Sequence, residues 1–173
     1  LIGYDCPGGG LTHYTSLFAP NTFDCTAFLD RLRGGFGRGY YVNCVDCATI
    51  VSTFANSLGC DLWQSAMFGE RPFGLNPVLA VGSNVWQTPC GWGSFPYHEV
   101  AWKGACTAGD EVFDACLQIN GGSSIVSPVP LLPAGIRFGE IGDGLYRDRL
   151  ATPAGRVNCA PQPQFTRRRR PIW

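Results

Sequence analysis

The sequence predicts an α+β domain, with helices in its first third and an antiparallel sheet after them. Three observations carry that expectation. Residues 43–60 repeat apolar positions at helical spacing, and short runs rich in Val and aromatics follow between residues 62 and 119. Loops drawn from 23 glycines and 13 prolines punctuate these segments. A length of 173 residues is about one domain and enough for a hydrophobic core. At 45% hydrophobic and 15% charged residues, the chain is too apolar for disorder.

Residues 1–20 form an irregular lead-in with Pro7 and three consecutive glycines. Asn21 or Thr22 can cap a first helix whose Phe23, Ala27, Phe28 and Leu32 share a face, and Gly34 and Gly35 end it. The glycine loop that follows lacks the spacing and the lysine of a phosphate-binding loop. Asn43 can cap the second helix, Asp46 suits the positive end of its dipole, and Gly59 stops it. Its apolar face is Cys47, Ala48, Val51, Phe54, Ala55 and Leu58. Strands are expected over 62–68, 78–86, 97–102 and 111–119, with a last one around 144–150. Residues 1–173 form a single domain in this reading. Its core covers about 21–119, and 120–173 is an irregular Gly/Pro-rich C-terminal extension.

The longest apolar runs, such as 77–81, are far too short to cross a bilayer, so no membrane span is expected. No basic start followed by an apolar run marks a signal peptide. A first residue of Leu1 instead of Met suggests a piece processed or excised from a longer chain. Thirteen basic residues balance thirteen acidic ones, and Lys103 is the single lysine. Four arginines form a run at 167–170; without it, nine basic residues face thirteen acidic ones. That balance argues against a nucleic-acid partner, and the run itself reads as a solvated tail. Nine cysteines suit four disulfides plus one free thiol, or nine reduced thiols buried as small hydrophobes. Pairs such as Cys106 with Cys116, or Cys6 with Cys25, are conceivable, but connectivity is not readable from spacing.

The chemistry narrows to a few residues. His13 and His98 are the only histidines; His98 lies in an expected strand, which holds a side chain more firmly than the lead-in holds His13. Cys44 falls on the first turn of the second helix, where unpaired amides and the dipole favour a thiolate. A nucleophilic cysteine also needs an imidazole and a group to orient that imidazole. Asp114, sixteen residues after His98, can face it across two adjacent antiparallel strands.

The segment NCVDCATIVSTFANSLGC resembles the nucleophile helix of the transglutaminase-like superfamily, with Cys44, Asp46, Ala48, Leu58 and Gly59 at matching positions. His98, Glu99 and Trp102 match that family's histidine strand and Asp114 its aspartate strand, so the resemblance covers roughly residues 40–119. It departs at Glu99, where the family more often has a small residue, and at Ala115 and Cys116, where Pro-Thr is frequent. The resemblance implies a papain-like core, with the nucleophile helix packed on an antiparallel sheet. It also implies a Cys44–His98–Asp114 triad doing acyl transfer on protein or peptide amides, as a transglutaminase, deamidase or peptidase. The Cys44 N–H is the natural first oxyanion donor. No metal or organic cofactor is implied. Cysteine load and missing Met fit a secreted or delivered effector or toxin domain, for which a cognate inhibitor or immunity protein is a conceivable partner.

Other chemistries fit less well. Cys44 and Cys47 spell the C-x-x-C of a redox pair, but a helix and a glycine loop precede them where a βαβ unit is needed. A structural zinc lacks a second close ligand pair. The main alternative is a non-enzymatic, disulfide-stapled secreted binding module. In it Cys44 is bonded, His98 is incidental and Asp114 is solvated. Trp86, Trp92, Phe95 and Tyr97 then form a recognition surface around Cys90.

Overall fold

A computed structural model describes residues 2–18, 21–119 and 135–173. Chain order is β1 (Gly3–Tyr4), α1 (Cys25–Leu32), β2 (Tyr41–Val42), α2 (Cys44–Ser57), β3 (Leu62–Met67), β4 (Phe73–Gly74) and β5 (Val78–Ala80). β6 (Ser94–Phe95), β7 (His98–Lys103), β8 (Glu111–Phe113), β9 (Leu117–Ile119), β10 (Ile136–Arg137), α3 (Tyr146–Leu150) and α4 (Pro163–Thr166) follow. The central sheet is antiparallel with strand order β10-β8-β7-β3, and α2 packs on β7 and β3. Helix and sheet coexist as the α+β expectation required.

Two elements start or end elsewhere than the sequence suggests. α1 begins at Cys25, capped by Asp24 accepting from the Ala27 amide, and not at Asn21 or Thr22. Phe23 is the reason: its N–H donates to Pro171 and its carbonyl accepts from Trp173, so its backbone is committed to an extended pairing. The expected strand 78–86 stops at Ala80 because the chain turns at Gly82, where φ is +79°. A Cβ at Gly82 would also lie 2.6 Å from the Gly3 Cα, so β1 can approach only a glycine.

The run 111–119 is two strands. β8 pairs with β7 and β9 pairs with β5, and the bend between them holds Asp114. The expected strand at 144–150 is instead the helix α3. Gly139, Gly142 and Gly144 all take positive φ, and the Asp148 carboxylate folds back onto the Gly142 and Gly144 amides. Five residues are too few to display a helical period.

The reading of 120–173 as an extension outside the core is also corrected. Residues 120–134 lie outside the described residues, but Phe138, Tyr146, Leu150 and Cys159 are fully or nearly fully buried. The chain then lies along the free edge of β3: Gln64 and Arg168 exchange a pair of backbone hydrogen bonds, and the Gln162 N–H donates to the Ala66 carbonyl. That covers an edge otherwise open to pairing.

The arginine run is not a solvated tail. Arg170 is buried and meets Glu99 Oε1 at 2.5 Å, Gln64 Oε1 at 2.8 Å, Thr49 Oγ1 at 3.0 Å and Asn21 Oδ1 at 2.9 Å. Arg167 and Arg169 stack on Trp63 with guanidinium carbons 3.5 and 4.0 Å from the ring centroid, and Arg169 pairs with Asp61. Cysteine pairing differs as well. Cys6 joins Cys90, while Cys25, Cys106 and Cys116 are free, so neither conceivable pair forms and seven thiols remain.

Candidate active site

Cys44 is the first residue of α2, and its position is over-determined. The Asn43 side chain accepts from the Asp46 amide at 3.0 Å while Asp46 accepts from the Asn43 amide at 3.3 Å, a reciprocal capping box. Asp46 also accepts from the amides of His13 and Tyr14, and Asn43 donates to the Gly10 carbonyl. The lead-in is thereby fastened to the first turn of the helix. Asp46 is structural, as its place in the sequence suggested; burial raises its carboxyl above the usual range, against the pull of those amides. Cys44 is a free, 5% exposed thiol, and at the first helical position its own amide has no intrahelical acceptor.

β7 brings His98 to this turn. Its register opposite β3 sets Met67 across from His98, the first residue of β7, and Cys44 bears on the His98 ring. The imidazole is completely buried, and Phe95 stacks on it at 5.8 Å between centroids. Nε2 lies 2.9 Å from Asp114 Oδ2. By strand register Asp114 would fall opposite Val100, so the bond reaches diagonally to His98 from the bend after β8.

Asp114 is locked by four donors: the Cys116 and Leu117 amides on Oδ1, and Tyr146 Oη (2.7 Å) and His98 on Oδ2. An acceptor so occupied requires Nε2 to carry a proton. Nδ1 is then the nitrogen left over. It is buried without a formed hydrogen bond, and besides Asp114 the group that acts on the ring's charge is Cys44. His13 is elsewhere, 3.3 Å from Asp5 in the lead-in.

Burial disfavours the His98 imidazolium, but the Asp114 carboxylate, its hydrogen bond and the Cys44 sulfur outweigh it and raise the pKa from 6.5 to about 10. A histidine raised in the folded state contributes stability in full below about pH 6.5 and loses it as pH climbs through about 10. Thermal melts of the native protein should therefore fall more steeply across that window than those of a His98→Gln variant. Parallel curves would contradict the raised value.

Two phenols lie within electrostatic reach of the sulfur. Tyr4 stands on β1, whose partner β2 runs directly into α2, and its ring makes an edge contact with Trp92. Burial first, then the charge of Cys44, pushes the ionisation of Tyr4 and Tyr97 upward. Tyr97 precedes His98 and is partly exposed, whereas Phe95 is buried and Trp86 and Trp92 are half-buried. The four aromatics thus do not form one exposed surface. Cys47 has the Cys116 thiol as its neighbour, and burial first, then Cys47, lifts Cys116 well above the ordinary thiol range.

The structure brings Cys44, His98 and Asp114 together. A stapled binding module needs Cys44 bonded and Asp114 in solvent; Cys44 is free and the Asp114 side chain is buried. Sequence reasoning missed Tyr4 and Tyr146. Tyr146 sits in a glycine-rich segment with no period to mark it, and Tyr4 in an irregular lead-in. No family model, no curated protein and no solved structure matches this chain.

Proposed function

We propose that this chain is a cysteine-dependent acyl-transfer enzyme acting on protein or peptide amides, with a core of the papain-like, transglutaminase-like type. The observation that supports it best is the convergence of three elements: a free thiol on a capped helix N-terminus, a buried imidazole beside it, and a carboxylate clamped on the far nitrogen of that ring.

In this reading thiolate Cys44 adds to the amide carbonyl carbon, and the C=O electron pair moves onto oxygen. Re-formation of the carbonyl expels ammonia or an amine, which takes its proton from His98, and leaves a thioester on Cys44. Water or a second amine then attacks the thioester, gives a proton back to His98 and releases the thiolate. The Cys44 amide is one oxyanion donor, and we assign the Tyr4 hydroxyl, which has no hydrogen-bond partner among the described residues, as the second. The Cys6–Cys90 disulfide fits an oxidising compartment, and so a secreted or delivered domain.

Ammonia release from glutaminyl peptides, with and without a primary amine, tests the chemistry and separates transfer from hydrolysis. His98→Ala should lower the rate by ~10²–10⁴-fold, the scale of general acid–base help. Asp114→Asn should cost less, since it keeps the site's shape and loses only the charge that holds the ring. An Asp114→Asn rate equal to wild type would remove Asp114 from the mechanism.

A further inference from the structure

An open cavity of about 460 Å³ is lined by Tyr97, the residue before His98, and by Val45, the residue after Cys44. Its other apolar walls include Leu17, Ala66 and Phe68; its polar residues are Glu99, Thr166, Arg168 and Arg170. Two of those three charges cancel, because Glu99 and Arg170 pair at 2.5 Å. Arg168 is different. Its Nε donates to the Thr166 carbonyl at 2.7 Å, and among the described residues no carboxylate pairs with its guanidinium. Its backbone is held in place by the two hydrogen bonds to Gln64. A single uncompensated guanidinium on a fixed stem, beside the apolar walls of Leu17, Val45, Ala66 and Phe68, is complementary to a carboxylate carried on an apolar body.

Resting on the acyl-transfer reading above, we infer that this cavity is a substrate subsite beside Cys44 and that Arg168 selects peptides bearing a carboxylate close to the reacting amide. Tyr97 is the shared wall: it lines the cavity, and the charge of the Cys44 sulfur reaches its hydroxyl. Val45 follows Cys44 and Tyr97 precedes His98, so the cavity borders both elements that carry the reacting groups, and in this reading a peptide whose amide lies over Cys44 places a neighbouring residue in it. Val45 and Phe68 take the apolar part of that residue.

The test compares three N-acetylated tripeptides: Gln-Leu-Glu amide, Gln-Leu-Ala amide, and Gln-Leu-Ala with a free C-terminus. With wild-type protein kcat/KM should favour a carboxylate-bearing peptide over the neutral one by ~10-fold, a typical gain for one charge-assisted contact. Which of the two acidic peptides leads tells a side-chain carboxylate from a terminal one. Arg168→Gln should bring the ratio to about one, while Arg168→Lys retains part of it and controls for folding. Binding of the same peptides to a Cys44→Ala protein, followed by NMR titration, separates this inference from the chemistry it rests on. Arg168-dependent binding without turnover by wild type keeps the subsite and overturns the mechanism. Turnover with a charge preference that Arg168→Gln leaves unchanged, or with no preference at all, overturns the subsite.

Discussion

Cys44→Ala is expected to leave a folded protein with no measurable amide turnover. In the proposed mechanism the covalent intermediate is a thioester on this thiol, so its removal leaves the reaction without a nucleophile. His98 and Asp114 remain bonded to each other in the variant, because their contact does not pass through the sulfur. The capping box that starts α2 uses Asn43 and Asp46, not Cys44. The loss of one buried sulfur atom costs roughly 1 kcal/mol, within the ordinary range for a point substitution. Circular dichroism and a melting curve close to wild type, with ammonia release at background, are the expected pair of results. Appreciable ammonia release would remove Cys44 from the mechanism.

Arg170→Met should produce the largest loss of stability. It breaks a buried ion pair from one side only and leaves Glu99 uncompensated between α2 and the sheet. Breaking such a pair costs ~3–5 kcal/mol. For a chain of this length that is a fall in melting temperature of roughly 6–20 °C. Removing both charges, as in Arg170→Met with Glu99→Leu, should recover much of it, since a hydrophobic replacement of a whole buried pair is often neutral. Gln64, which reaches both Arg170 and Ser52, and Thr49 keep the double variant from recovering fully. A single variant that melts with wild type would mean that the C-terminal segment is not docked on the sheet.

The two outcomes sit at opposite ends of what the sequence makes legible. The start of α2 could be placed to the residue because its capping pair and its apolar period agree on it, whereas Leu58, read as part of the apolar face, lies past the last helical residue and is exposed. Asp114 could be brought to His98 from strand spacing alone, although the bend that lets it reach diagonally could not be foreseen. Arg170 was hidden by its neighbours: four consecutive like charges suggest solvent, and only the tertiary fold supplies Glu99, Gln64, Thr49 and Asn21 around the last of them. One signal was present. Glu99 stands in a strand whose next residues are Val100, Ala101 and Trp102, and a carboxylate in so apolar a run calls for a buried cation. Tyr146 carried no comparable mark, since it is fixed by Asp114 from thirty-two residues away.

The central claim is that His98 activates Cys44, and the most direct test is a thiol map. The native protein is treated briefly with iodoacetamide at about pH 6, where an ordinary thiol of pKa near 8.5 hardly reacts, and digested without reduction. Cys60, the exposed free thiol, measures simple access. The account predicts that the 5% exposed Cys44 is labelled faster than Cys60 and that His98→Gln abolishes the difference, with Cys6 and Cys90 recovered as one linked peptide. Labelling confined to Cys60, or Cys44 recovered in a disulfide, would contradict it.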